Sequence, residues 1–273
     1  MNNNCPACGG VFKQFAAFGQ HIIYQCSSCG LGHTSNTEKQ TGDYHRDEVY
    51  IKEELCFTNI FQRRVNLINH FVKVPGKILD IGSSTGLMLS LFQKQGWQVQ
   101  GIEISKKAAE FAIQRGIPTM ITTLEQAKLQ NNYFDAVVIN HTLEHLEDPQ
   151  ATVKKARTIL KSGGVLLIDV PNFGSLSAQA AKDNWPYLLP DEHIWHFTAK
   201  AITKMLEKEG LAVINRTSPS GIWDYANPWY ELWSALSSLK KRFFKEFLTM
   251  LPDYFVSILQ TGTSLTIVAK KND

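Results

Sequence analysis

Three groups of residues in this 273-residue chain have the types and spacing to do chemistry. Cys5-x-x-Cys8 and Cys26-x-x-Cys29, seventeen residues apart, have the pattern of a four-thiolate zinc site. Gly9, Gly10 and Gly30 follow the pairs and supply the tight backbone through which thiolates converge. His33 could replace one thiolate, and a redox pair is the other use of such spacing. With four protein ligands no coordination position stays open, so the expected metal is structural. The second group lies in Lys77–Gly86, where an apolar strand ending on Asp80 runs into a glycine loop that opens a helix. Such a loop approaches a ligand closely and presents unpaired N–H groups at the positive end of the helix dipole. Its glycines fall as G-x-x-x-G, not as the dinucleotide G-x-G-x-x-G, and Asp80 would repel a pyrophosphate while suiting a cationic or neutral ligand. Glu103, twenty-one residues after Gly82, ends the next strand, where a carboxylate partners ribose hydroxyls. The third group is imidazole: His141, Glu144 and His145 behind an apolar strand, and Asp191-Glu192-His193-Ile194-Trp195-His196 ahead of a helix. A histidine titrating near neutrality can take a proton from a hydroxyl or an activated carbon acid. The alternative for each is a loop histidine packed on Trp195 or bonded to backbone.

These groups need elements to hold them. Apolar positions Leu55, Ile60, Phe61, Val65, Leu67, Ile68 and Phe71 recur at helical spacing over about Asp47–Val72, with Cys56 read as core. From Lys77 strands and helices alternate. Gly96 and Gly116 read as helix C-caps, Ser105 as an N-cap, and Asp148-Pro149 as an N-cap with proline at the first helical position. Val153, Ala156 and Leu160 give that helix its buried face, and Thr198 caps a helix carrying Ile202, Met205 and Leu206. This alternation predicts a parallel sheet wrapped by helices, with ligands at the carboxyl ends of its strands. Leu211–Ile214 and Thr263–Lys270 read as closing strands around an aromatic, basic helical segment at 223–260. That segment packs on the domain or serves as a lid or membrane-surface helix over 229–250.

Lys plus Arg number 28 against 25 Asp plus Glu, a net charge of +3, which lacks the dense basic stripe expected of a nucleic-acid binder. No window reaches the roughly 18 uninterrupted apolar residues of a membrane span. The amino terminus has no basic segment followed by an apolar run, and the paired cysteines suit a reducing compartment, so a cytoplasmic location is expected.

The loop at Asp80–Gly86 with Glu103 resembles the class I S-adenosylmethionine-dependent methyltransferases, whose first motif is a hydrophobic strand, Asp, x, Gly and a second Gly four residues on. The likeness continues through Phe134–Pro149 and Leu160–Asn172 and covers roughly residues 60 to 215. It implies an α/β fold with a Rossmann-like sheet of seven strands, mostly parallel with the last antiparallel. The expected organisation is a zinc ribbon at 1–40, linker and leading helices at 41–75, and the methyltransferase domain at 76–273 with its insert at 223–260. Asp80, Gly82, Ser84 and Gly86 would line the methionine and ribose of the methyl donor, Glu103 would take the ribose hydroxyls and Ile104 the adenine face. Thr122, Thr123 and Leu124 would meet the adenine edge, with Glu125 standing in for an acidic residue there. Asn140 and His141 would face the donor methyl. Leu-Glu-His-Leu-x-Asp-Pro is shared with quinone O-methyltransferase relatives, and the stretch at His193–Thr198 is similar to one in sugar and small-molecule methyltransferases. The candidate catalysts are thus His193, His196, His145 and His141, with Glu144 as a further candidate. The expected activity is methyl transfer from S-adenosylmethionine to an O or C atom of a small metabolite such as a sugar or quinone, beside a structural zinc. An rRNA or tRNA base methyltransferase and a catalytically silent zinc-bearing binding protein are the alternatives.

Overall fold

The computed structural model describes residues 4–35, 54–225, 233 and 244–272. Its larger sheet is built from β4 (Lys77–Ile81), β5 (Gln98–Glu103), β6 (Thr119–Ile121), β7 (Phe134–Asn140), β8 (Leu160–Pro171), β10 (Leu211–Thr217) and β11 (Ser264–Lys271). The strand order is β10-β11-β8-β7-β4-β5-β6, with β11 antiparallel to both neighbours and every other pairing parallel. Side-chain alternation along the strands explains why both faces are covered. Ile78, Ala136, Val138, Val165 and Leu167 pack on one face with Phe61, Val65 and Ile68 of α1 (Glu54–Phe71) and with Met88, Leu89 and Phe92 of α2 (Leu87–Gln93). Leu79, Val137, Ile139, Leu166 and Ile168 face the other way, against Val153 and Ile159 of α4 (Pro149–Ile159) and Ile202, Met205 and Leu206 of α6 (Ala199–Lys208).

The expected caps form. Ser105 Oγ accepts from Ala108 N at the start of α3 (Lys106–Gln114), Asp148 accepts from Ala151 N ahead of Pro149, and Thr198 Oγ1 accepts from Ala201 N. Each ends its connecting loop at a fixed point, so the strand ends face one crevice. That crevice opens between β4 and β7, where the chain leaves the sheet centre in two directions.

A second sheet, order β1-β2-β3-β9, forms from β1 (Phe12–Phe18), β2 (His21–Cys26), β3 (Gly32–Thr34) and β9 (Trp195–His196). The sequence reads the first forty residues as a module with its own boundary; the fourth strand of its sheet comes instead from the segment ahead of α6. The edge of β3 would otherwise expose unpaired backbone groups. His33 pairs with Trp195 and Gly32 with His196, and Thr34 N donates to Ile194 O at 2.9 Å. Thr198 Oγ1 then donates to Cys29 O at 2.7 Å, tying the α6 cap to a cysteine of the ribbon.

The insert contributes α7 (Ile222–Tyr225) and α8 (Phe244–Ile258), with α5 (Leu176–Ala181) lying earlier, after β8. The expected helix start near Asp47, the Cys56 side chain, the linker from residue 36 and most of 229–243 lie outside the described residues. No helix among the described residues is long and apolar enough to cross a membrane.

Candidate active site and metal centre

The glycine loop and two strand ends build the donor side of the crevice. Gly82 N and Ser83 N both donate to Ile102 O, at 2.8 and 3.0 Å, folding the loop back over β5. Gly82 sits at φ +78°, and a Cβ there would lie 2.2 Å from Thr142 Oγ1, so only glycine lets this loop touch the loop after β7. Gly86, at φ +70°, is the N-cap of α2. Ser84 also has a positive φ, 45°, and its N–H donates to Glu103 Oε2 at 2.8 Å. Ser105 N donates to the other oxygen, Oε1, at 2.7 Å, so two backbone amides aim the Glu103 carboxylate into the crevice.

Asp80 and Asn140 end the two strands that flank the crevice. Both are buried, and Asp80 Oδ1 and Asn140 Oδ1 have no hydrogen-bond partner. Burial, and then the charge of Glu103, raise the Asp80 carboxyl well above its ordinary range. Two buried acceptors without donors fit a ligand that brings N–H, O–H or positive charge. Of the remaining expected donor contacts, Ile104 is exposed, Leu124 is buried, and Thr123 Oγ1 accepts from Gln126 N at 3.4 Å, capping the turn after β6. Thr122 N donates to Glu103 O at 3.2 Å.

The four candidate histidines take different environments. His141 follows β7 with φ +48°, a left-handed backbone that a non-glycine residue adopts under strain. Its half-exposed ring places Nδ1 3.3 Å from Glu144 Oε1. Burial pulls the His141 pKa down, but the Glu144 hydrogen bond and charge outweigh it and leave the ring above its ordinary value. His145 Nδ1 lies 3.0 Å from Glu192 O, and His193 Nδ1 3.1 Å from Tyr187 O. The His145 and His193 rings meet edge to face at 4.8 Å. His196 is buried in the seam between the sheets, its Nε2 2.7 Å from Thr34 Oγ1, and burial, reinforced by His193 and His33, lowers its pKa to about 3. A ring held so far below neutrality is neutral at physiological pH.

Cys5, Cys8, Cys26 and Cys29 are free thiols whose Sγ atoms all lie within 4.8 Å of one another. Cys5–Cys29 and Cys8–Cys26 each approach to 3.5 Å. A zinc tetrahedron with bonds of about 2.3 Å has edges of about 3.8 Å, so the four thiols fit that ion with small adjustments. His33 is edge-on to Trp195 at 4.6 Å in the seam.

A family model described as a methyltransferase domain matches residues 54–216, more than half of the chain. The chain belongs to that methyltransferase family. Similar relatives include the ubiquinone biosynthesis O-methyltransferase of Chromobacterium violaceum, 29% identical over 117 residues, which are 40% of this chain and 50% of the relative. That of Bradyrhizobium sp. is 27% identical over 202 residues, 70% of this chain and 76% of the relative. The chain thus spans about half the length of the first of these and about three quarters of the second. Among solved structures, a SAM-dependent methyltransferase from Archaeoglobus fulgidus superposes with a TM-score of 0.58 at 20% identity, over 84% of this chain and all of that one. The fold is that of the class I S-adenosylmethionine-dependent methyltransferases.

Sequence reasoning did not single out Arg64, Asp169 or Thr34. Arg64 is buried on the apolar face of α1 and bonds Asp169, at the end of β8, and Asp224 at 2.8 Å. Ser264 Oγ donates to Asp169 at 3.1 Å. A carboxylate inside the apolar run of β8 was the available signal for a buried cation, but nothing local names Arg64, 105 residues away.

Proposed function

We propose that this chain transfers a methyl group from S-adenosylmethionine to an oxygen atom of a small-molecule acceptor. The observation that carries the reading is the pair of buried, partnerless acceptors, Asp80 Oδ1 and Asn140 Oδ1, with the Glu103 carboxylate on the strand beside Asp80. When bound, S-adenosylmethionine supplies an electrophilic methyl group on a positively charged sulfur. Asp80 and Asn140 would receive donors from its methionine and ribose portion, Glu103 would accept from the ribose hydroxyls, and the Gly82–Gly86 loop would hold it at the strand ends. Alignment of donor and acceptor supplies much of the rate.

On the acceptor side, Glu144 Oε1 accepts from His141 Nδ1–H, which leaves Nε2 as the basic nitrogen of the half-exposed ring. His141 Nε2 takes the proton from the acceptor hydroxyl as the methyl arrives. His196 positions the β9 segment through Thr34. The relatives' names, ubiquinone biosynthesis O-methyltransferases, support an oxygen acceptor of aromatic or quinone-like character. The four cysteines would hold zinc in a closed structural site that fixes the start of β3 and, through Thr198 and β9, the histidine-bearing segment. Such free thiols and a soluble cofactor suit a reducing, cytoplasmic setting.

Incubation with methyl-labelled donor and a panel of phenols, catechols and sugars tests this. Label should pass to an acceptor oxygen, with kcat for His141→Asn down at least 100-fold and donor affinity unchanged. Undiminished turnover in His141→Asn would refute the base, and label recovered only in RNA would refute the acceptor class.

A further inference from the structure

We propose that Glu144, His145 and His193 form a second metal site, separate from the cysteines, for a divalent first-row transition ion. One ligand atom from each lies within 4.8 Å of the others, although His193 is 48 residues beyond His145 and enters from the segment ahead of β9. Bonds of about 2.1 Å would draw three such atoms to roughly 3.4 Å apart, a movement of less than about 1 Å for each.

Three further observations point to an ion. Glu144 is 1% exposed, and its Oε2 is buried with no hydrogen-bond partner while Oε1 is taken by His141. The orphan oxygen is thus the free half of a braced carboxylate. Each histidine is braced too: His145 Nδ1 is on Glu192 O and His193 Nδ1 on Tyr187 O. A carbonyl only accepts, so each Nδ1 carries a proton, and Nε2 is the ring atom a metal ion would take. A backbone carbonyl on the far nitrogen is the support that fixes tautomer and orientation in metal-binding histidines. Finally, Ile194 N donates to Glu144 O at 2.9 Å, which pins the segment bearing His193 to the turn bearing the other two ligands.

Two imidazoles and one carboxylate favour zinc, manganese, iron or cobalt over magnesium or calcium, which prefer all-oxygen sites. Three protein ligands leave at least one position for water or an oxygen of a bound small molecule. Metal binding here does not depend on the methyl-transfer reading, because the site is made by the protein alone.

Cobalt(II) titration of the full-length chain, followed by dialysis and elemental analysis, tests the proposal. Thiolate-to-cobalt charge transfer marks the cysteine site, and an ion bound to nitrogen and oxygen lacks that band. The wild type should retain two equivalents, while Glu144→Gln, His145→Asn and His193→Asn each retain one, with the thiolate band intact. The surface variant His70→Asn should retain two. The site affinity should fall at least 100-fold in each ligand variant. Saturation of the wild type at one equivalent, or retention of two by Glu144→Gln, would overturn the site. Circular dichroism and donor binding of Glu144→Gln separate loss of the site from loss of the fold.

Discussion

Asp80→Asn should make the ligand-free protein more stable while removing its ability to bind the methyl donor. Asp80 is 2% exposed, its Oδ1 has no partner, and Glu103 is its charged neighbour. Burial and that like charge raise the folded-state pKa, so between the unfolded value of about 3.9 and the folded value the native state binds more protons than the unfolded state. In that window wild-type stability falls as pH rises, and above it the penalty is fully present. Asparagine keeps the shape without the charge. Relief of a buried, uncompensated charge is worth roughly 1–3 kcal/mol, and for a domain of this size each kcal/mol moves Tm by about 2–4 °C. The ligand-free variant should therefore melt about 2–12 °C higher at neutral pH, with the advantage vanishing below about pH 4. S-adenosylmethionine at a hundred times its Kd should stabilise the wild type by about 2.7 kcal/mol and the variant by far less. Scanning calorimetry across pH, with and without the donor, reads both effects. A ligand-free variant that melts lower than wild type at neutral pH, or an equal donor-induced shift in both proteins, would refute the reasoning.

Two other perturbations probe the supports of the site. Zinc chelation should unravel the cysteine loops and free β3 from β9, changing Trp195 emission through its contact with His33; donor affinity by calorimetry should change less than threefold, because Asp80 and Glu103 sit on the other sheet. Arg64→Met should cost about 3–5 kcal/mol in urea unfolding, since it leaves Asp169, which has no exposure, without its cation; a loss below 1 kcal/mol would show that water or Ser264 compensates.

Much of the donor side was legible in the sequence because it is local. The caps at Ser105, Asp148 and Thr198 act within three residues of themselves, and the apolar alternation of β4, β7 and β8 assigns each side chain to a face before any packing is known. Asp80 and Glu103 lie at the carboxyl ends of their strands, and parallel pairing sets both on the same end of the sheet. The distinction among the four histidines was not legible. All are polar residues in loops or short elements, and their spacing says nothing of which ring reaches Glu144, a backbone carbonyl or Thr34.

Neighbouring residues alone encode the strand–helix alternation, the glycine loop that only a residue without Cβ could close, and the thiol spacing, while the seven-strand count came from the family resemblance. Packing of distant segments sets the rest: the ribbon borrows β9, Arg64 reaches Asp169 across 105 residues, and His193 joins Glu144 and His145 while His196 is walled into the seam. The physical reason is range. Hydrogen bonds and rotamers within a turn are fixed by neighbouring residues, whereas contacts between distant segments depend on how whole elements pack and on which buried polar atoms must find partners there.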